Sequence, residues 1–284
     1  MSKNVAKKKD NAVGAVVPDY LRDYAGEGTE LVGDLAVVPR LKLLQGLNPE
    51  VIEDGMPVGE FFHTIAELPL GDTLTMVPVF VSQSVLLWRP RDDGGGILAR
   101  SDDGIHWDRP GMEFEIKLDK IKKNVIWNTG NTVKGGGLTD FGSSDPDDPN
   151  SFPAATRMVN VIAMLPDHLD LSPCVISLQR SSFKAGQQFV SKLKISRLPA
   201  WSRMFTMNTF NDKNNSNQSF KNWRFTAQVE STKNGPQPVL VPEDDVPFYR
   251  GMYENFSEKG FEIRDEEEMG DSDSDPVANT SKKF

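Results

Sequence analysis

The stretch from Arg180 to Phe225 combines positive charge with aromatic rings. It holds nine Lys or Arg residues, eight aromatic residues and one acid, Asp212, although the whole chain has a formal net charge of -9. Cations neutralise phosphates and flat rings stack with bases, and a single nucleic-acid strand presents both groups. The pattern therefore predicts a surface that binds single-stranded DNA or RNA.

Alternation assigns individual residues to this surface. In the run WSRMFTMNTF (201–210), Trp201, Arg203 and Phe205 share one face of a predicted strand. An unpaired arginine is costly to bury, so we expect that face to be open, with rings on bases and guanidinium on phosphate. The predicted nucleic-acid-binding residues are Lys184, Lys192, Lys194, Arg197, Trp201, Arg203, Phe205, Phe220, Lys221 and Arg224.

The alternative interpretation is that the rings are core residues and that the lysines form an ordinary solvated face. We expect this of Trp223 and Phe225, which alternate with Ala227 and Val229 on an apolar strand face. The shortage of acids favours binding for the rest of the stretch, because a solvated face normally carries both signs of charge.

The acidic loop with Asp140, Asp145, Asp147 and Asp148 has the oxygen ligands that a hard cation prefers. If those carboxylates converged on the basic stretch, they would suit a metal-dependent nuclease. The loop lacks the final glutamate of a calcium-binding loop, so a surface loop is the favoured interpretation and no metal site is predicted.

Other catalytic patterns are incomplete. The glycine runs at Gly94–Gly96 and Gly135–Gly137 lack the Lys-Ser/Thr of a phosphate-binding loop, and His106 has no nucleophile motif beside it. The single cysteine, Cys174, excludes an intrachain disulfide and lies in an apolar run typical of a packing residue. We expect neither enzymatic activity nor a cofactor.

The elements that position the basic stretch are a helix and a hairpin. Helical spacing predicts one main helix in SSFKAGQQFVSKLKISR, and the runs at 201–210 and 220–229 predict a hairpin around a polar loop. Apolar and β-branched runs predict further strands near residues 73–81, 85–91, 157–165 and 174–178. The predicted fold is α+β and β-rich: a decorated OB-like barrel or a half-open β-sandwich with disordered N- and C-terminal arms.

Composition divides the chain into three parts: a disordered basic arm (1–17), a β-rich nucleic-acid-binding body (18–240), and a linker with an acidic disordered tail (241–284). No run of about 18 apolar residues is present, so no membrane span is expected and the location should be cytoplasmic. The tail carries Asp265, Glu266, Glu267 and Glu268 and ends at Phe284. Its charge would let it compete with nucleic acid for the basic surface.

A β-rich body, a basic-aromatic stretch and an acidic tail ending in phenylalanine resemble the single-stranded DNA-binding proteins of bacteria and their phages. The resemblance implies an OB barrel, and a tail that docks replication or recombination proteins through Phe284. Lys282 and Lys283 stand where that family has acids. The runs PRLKLLQGLNPEV and LWRPRDDGGGILARSDDGIHW also resemble uncharacterised phage-encoded proteins, which implies a phage origin.

We therefore expect a sequence-tolerant single-stranded DNA-binding protein that supports phage DNA replication or recombination in the host cytoplasm. Two alternatives stay open at this point. One is a structural or assembly protein of the virion, whose basic surface meets another subunit, and the other is a metal-dependent nuclease.

Overall fold

The computed structural model describes residues 38–118, 123–213, 217–233 and 235–259. The predicted basic arm (1–17) and the predicted tail residues Asp265, Glu266, Glu267, Glu268 and Phe284 lie outside these ranges.

Strands dominate the described residues. In chain order they are β1 (Leu41–Leu43), β2 (Phe61–His63), β3 (Leu68–Pro69), β4 (Thr73–Trp88), β5 (Ile97–Ser101), β6 (Glu113–Leu118), β7 (Lys123–Asn128), β8 (Ala155–Met164), β9 (Cys174–Gln179), β10 (Phe205–Lys213), β11 (Ser219–Ala227), β12 (Val229–Thr232) and β13 (Gly235–Pro238). The α-helices are α1 (Pro49–Ile52), α2 (Val133–Gly136), α3 (Phe183–Ser196) and α4 (Val246–Lys259). None of the described helices is both long and apolar enough to cross a membrane.

The main sheet is antiparallel, with strand order β11-β10-β4-β8-β9, and β5 pairs with the distal part of β4. The long strand β4 connects the two halves of the sheet. Near its start Leu74 pairs with Met207 of β10, and near its end Val85 pairs with both Arg157 of β8 and Ser101 of β5. The register of β4 against β8 shifts just after Pro78. That irregularity accommodates a proline, which has no N–H to donate, inside a central strand.

One face of the main sheet packs against α3, β1 and β2. Five of the six strands of the sheet (β4, β8, β9, β10 and β11) contribute buried side chains to this core, and α3 contributes Phe189. Phe189 contacts Phe205 edge-on at a centroid distance of 5.1 Å and Phe225 at 4.6 Å. Phe61 of β2 stacks on Trp223 at 5.0 Å. The aromatic rings of the hairpin strands are thus held between the helix and the β1–β2 layer.

The segment around β1 contacts both edge strands of the sheet, β9 and β11. On one side Arg40 forms a parallel bridge with Val175 of β9. On the other side the Gln45 amide exchanges two hydrogen bonds with the backbone of Lys221 on β11, at 2.9 and 3.0 Å. The segment around β1 therefore links the two edges of the sheet across the core, although the described strands do not close into a barrel.

The opposite face of the sheet carries a second core beneath α4. Val77, Val79, Ile162 and Met164 lie there with Tyr249 of α4. A third core joins the distal half of β4 to β5 and to the hairpin formed by β6 and β7. The sheet is thus covered on both faces, and its architecture is compatible with a β-sandwich.

The prediction of a β-rich fold with few helices is confirmed, but the predicted linker after residue 240 is wrong in part. Residues 246–259 form α4 because Val246, Tyr249, Met252 and Phe256 recur at helical spacing and pack on the sheet. The folded body therefore extends at least to residue 259.

The packing of α3 predicts that replacing Gly186 by alanine lowers the stability of the protein, although alanine normally stabilises a helix relative to glycine. A Cβ added at Gly186 would lie 2.9 Å from the Val159 Cβ and 3.2 Å from the Leu178 Cβ. Overpacking costs about 1–3 kcal/mol, which outweighs the roughly 1 kcal/mol that alanine contributes through helix propensity. We expect Gly186→Ala to lower the free energy of unfolding by about 1 kcal/mol, measured by urea denaturation.

The control is Gly251→Ala in α4, where an added Cβ meets nothing within 4 Å. This variant should raise the free energy of unfolding by about 0.5–1 kcal/mol. Equal stabilisation by both substitutions would contradict the close approach of α3 to β8 and β9.

Candidate nucleic-acid interface

One stripe of α3 faces the hairpin formed by β10 and β11. Its members recur every three or four residues, and they are Lys184, Ala185, Gln188, Phe189 and Lys192. Phe189 enters the core, whereas Lys184 and Lys192 are exposed at its border. The helix contains three lysines and no acid, and Lys192 and Lys194 lie near its C-terminus, where the helix dipole favours cations.

The hairpin presents a second set of polar and aromatic side chains. The register pairs Phe210 with Asn222 and Asn208 with Arg224, so that Phe210, Asp212, Asn222 and Arg224 share one face. The Arg224 guanidinium lies over the Phe210 ring, 4.5 Å from its centroid. This contact places a cation and a flat apolar surface at the same point of the hairpin.

The stripe and the hairpin enclose a groove with a volume of about 290 Å³. Its apolar floor includes Phe189, Trp223 and Phe225, all of which are buried. The charged side chains that line it are the cations Lys184, Lys192 and Arg224 and the single carboxylate of Asp212. The groove therefore carries a positive balance of charge above an apolar floor.

Polar contacts hold the groove's two sides together. The Lys192 ammonium donates to the Phe225 carbonyl of β11 at 2.5 Å. The Asn222 amide donates to the Ser181 carbonyl, which precedes α3, at 3.3 Å, and to Asp212 Oδ2 at 2.9 Å. These bonds fix the helix against the edge strand, so the groove is already formed in the free protein.

Asp212 is an ionised acceptor in this setting. The hydrogen bond from Asn222 lowers the pKa of the Asp212 carboxyl below its ordinary value, and the backbone N–H of Lys213 and the charge of Lys184 act in the same direction.

The structure brings some of the predicted residues together in the groove and leaves others outside it. Lys184, Lys192 and Arg224 line the groove. Phe220 and Lys221 lie further along β11 and are half-buried, with the Lys221 methylenes against Gly59. Lys194 and Arg197 are exposed towards and just beyond the C-terminal end of α3 and do not line the groove.

The predicted open face with Trp201, Arg203 and Phe205 is wrong. Phe205 is fully buried, and Arg203 is only 7% exposed, with its guanidinium 4.9 Å from the Phe205 ring centroid. The alternation fails because Ala200–Ser202 form a 3₁₀ turn and β10 begins only at Phe205. Trp201 consequently packs against the core on the opposite face of the sheet, beneath α4.

Burial of Arg203 is made tolerable by its neighbours. Nη1 donates to the Lys192 carbonyl in the last turns of α3 at 3.4 Å, and the guanidinium lies over an aromatic ring. Burial lowers the pKa of Arg203 from its ordinary value, although an arginine stays charged at neutral pH.

Sequence reasoning did not assign Phe210, Asp212 or Asn222 to the site. They lie on the hairpin face that also carries Phe220 and Arg224, which the alternation did predict. The pairing register, which sets Phe210 opposite Asn222, was the missing information.

The acidic loop has a structural role of its own. The Lys123 ammonium binds both Asp145, at 2.9 Å, and Asp147, so these two carboxylates share one protein cation. Within the described ranges no group of three or more His, Cys, Asp or Glu side chains is placed to hold a metal ion. Burial raises the pKa of the Cys174 thiol to about 12, so this cysteine is not a reactive nucleophile at neutral pH.

The fold and the groove define a β-rich protein with a cationic, ring-lined groove beside the edge strand of its main sheet. Residues 8–237 match the family model described as Pam3 phage gp34-like protein, and the chain belongs to this phage protein family. The match ends within β13, so α4 lies beyond it. No curated protein and no solved structure gives a significant match to the chain.

The contact between Asn222 and Asp212 predicts a change in acidity. Asn222→Ala removes the principal hydrogen bond to the Asp212 carboxylate, so we expect the Asp212 pKa to rise towards its ordinary value in a carboxyl NMR titration. Because the folded pKa is depressed, its stabilising contribution is present above the unfolded pKa and is lost as the pH falls. The stability difference between the two proteins should therefore shrink below about pH 4.

Asn124→Ala is the matched control, because Asn124 makes an equivalent bond to Glu115 across the hairpin of β6 and β7, at 2.9 Å. It should leave the Asp212 titration unchanged. An Asp212 pKa that does not move in Asn222→Ala would show that the amide is not its main partner.

Proposed function

We propose that this protein binds single-stranded nucleic acid in the groove between α3 and the β10–β11 hairpin, without strict sequence preference, in support of phage DNA replication or recombination. The observation that carries the proposal is the convergence of Lys184, Lys192 and Arg224 around an aromatic surface with a single carboxylate nearby. Phage family membership gives the biological setting.

The two kinds of side chain have separate tasks. Lys184 and Lys192 supply charge for phosphates along the helix side of the groove. Phe210, which is half-buried, supplies a stacking surface on the hairpin side. A base displaces the Arg224 guanidinium from this ring, because stacking is worth about 1–3 kcal/mol per base and an exposed cation–π contact about 0.5–1 kcal/mol. The freed guanidinium is then available to a phosphate.

The groove's size favours an unpaired strand. A volume of about 290 Å³ is at the lower end of the range for small-ligand pockets, roughly 300–1,000 Å³. Such a space admits part of one strand, while a duplex would contact only the rim. Stacking on Phe210 also requires an unpaired base, since paired bases have their faces covered.

The strand order supports an OB-like interpretation of the body as part of this proposal. An OB fold is a five-stranded, partly open Greek-key barrel, and the loops after its first and fourth strands bind oligonucleotides. With β4, β8, β9, β10 and β11 as the five strands, the fourth loop joins β10 to β11 and begins next to Asp212. The proposed binding site and the proposed fold therefore agree on one location.

The acidic tail completes the proposal. Its carboxylates (Asp265, Glu266, Glu267 and Glu268) have the charge of a phosphate backbone and compete for the groove, and Phe284 serves to recruit a replication or recombination partner. Competition of this kind would weaken strand binding by the full-length chain at low salt.

A charge-removal experiment tests the groove. We expect the double variant Lys184→Gln/Arg224→Gln to weaken binding of a labelled single strand at least tenfold at low salt, measured by fluorescence anisotropy of the full-length protein. Each lost phosphate contact also flattens the plot of log affinity against log salt by about 0.7, so the slope should change by roughly 1.4.

The control Lys134→Gln/Arg250→Gln removes the same charge from exposed positions outside the groove. It should leave both affinity and slope nearly unchanged. Absence of single-strand binding by the wild-type protein, together with binding of a polyglutamate peptide in the groove, would instead indicate the assembly role in which the groove meets another subunit.

A separate variant tests stacking. Phe210→Leu should weaken binding by roughly 5- to 150-fold, the equivalent of about 1–3 kcal/mol, with little change in salt slope because no charge is lost. Phe141→Leu alters a ring that is 71% exposed in a loop outside the groove, and it should have no effect. Equal affinities of Phe210→Leu and wild type would remove Phe210 from the interface.

A further inference from the structure

The position of Asp212 is unexpected in a phosphate-binding groove. It is the sole acid between Arg180 and Phe225, and it lies among the three groove cations. A carboxylate there repels phosphates and so opposes phosphate binding at this point of the groove. A ligand group that carries hydrogen-bond donors would offset this repulsion.

Asp212 has accepting capacity left after its contacts within the protein. Oδ1 accepts the Lys213 N–H at 2.9 Å and Oδ2 accepts the Asn222 amide at 2.9 Å. Each carboxylate oxygen has two acceptor sites, so one remains on each oxygen. Asp212 is half-buried and lines the groove, which leaves these sites open to a ligand.

Asn222 acts only as the support of this carboxylate. It is 4% exposed, its Oδ1 accepts the Trp223 N–H at 2.9 Å, and its Nδ2 bonds to Ser181 and Asp212. Both the nitrogen and the oxygen of the Asn222 amide are thus hydrogen-bonded within the protein. Asn222 is therefore a positioning residue, and Asp212 is the side chain that meets the ligand.

Asp212 and Phe210 are neighbours on one face of β10. The two residues lie on the same face of β10, two positions apart, so their Cα atoms are separated by about 6.7 Å at roughly 3.3–3.4 Å per residue. A base that stacks on Phe210 is therefore close enough for one of its edges to reach the Asp212 carboxylate.

We propose that Asp212 selects bases that carry an exocyclic amino group. Its ionised oxygens accept a hydrogen bond from the N4 amino group of cytosine, as Asp and Glu do in other protein–nucleic acid contacts. Thymine presents the O4 acceptor at that position, which the carboxylate repels. This inference rests on the proposed function, and it adds a preference for cytosine over thymine to a groove that otherwise tolerates sequence.

Oligo-dC and oligo-dT form the sharpest comparison, because both are pyrimidine strands with equal phosphate charge. We expect the wild-type protein to bind oligo-dC at least fivefold more tightly than oligo-dT of the same length, by fluorescence anisotropy at pH 7.5 and constant salt. In Asp212→Asn the ratio should fall towards one, since an amide both donates and accepts. Both strands should also bind more tightly to this variant, because a negative charge has been removed.

The matched control is Asp148→Asn, which removes an exposed carboxylate outside the groove and should preserve the ratio. Two outcomes overturn the inference alone: equal binding of oligo-dC and oligo-dT by the wild type, or the same ratio in wild type and Asp212→Asn. The second outcome would reduce Asp212 to a tether for Asn222. Failure of the wild type to bind either strand would overturn the proposed function itself.

Discussion

The close packing of α3 against the main sheet is the contact on which both the core and the groove depend. Gly186 lets the helix approach Val159 and Leu178 so closely that a methyl group would not fit without movement. At that distance Phe189 reaches between Phe205 and Phe225, and the lysines of the same stripe come to rest beside the hairpin. A helix held further away would leave a cavity in the core and would separate the groove's two sides.

The sequence predicted the helix and the hairpin, and it assigned Trp223 and Phe225 of β11 correctly to the core, but it left the wrong face of the first hairpin strand open to solvent. Helical spacing is a local property, so α3 was predicted from the sequence, whereas α4 was not predicted because it lies between the acids Glu243–Asp245 and the acidic tail, and its residues were grouped with that tail. Strand alternation identifies two faces without saying which one the helix covers. Phe205 and Arg203 were therefore assigned to the wrong side, and Phe210 became recognisable only from its pairing with Asn222. A 3₁₀ turn of three residues before β10 was enough to break the alternation at Trp201.

The buried Arg203 shows how an apparently costly pattern is accommodated. The expectation of exposure rested on the penalty for burying an unpaired charge. The structure reduces that penalty by placing the guanidinium next to a helix carbonyl and over a ring, within the same core that Phe189 organises. The carbonyls near a helix C-terminus carry partial negative charge, so the Lys192 carbonyl compensates part of the buried charge, whereas Arg203 Nε is buried without a hydrogen-bond partner.

The way in which β11 is covered determines how this protein can recruit a ligand. An edge strand ordinarily offers unpaired backbone groups to an added strand. Here the Lys192 ammonium donates a hydrogen bond to the Phe225 carbonyl. The Gln45 amide donates to the Lys221 carbonyl and accepts from the Lys221 N–H. With these backbone groups occupied, less of this edge is open to the backbone of an added strand. This arrangement agrees with the nucleic acid strand that we propose as the ligand, because an added β-strand peptide would need free backbone groups at the edge. The bonds that occupy the edge also hold the groove in shape before binding, which lowers the entropic cost of association.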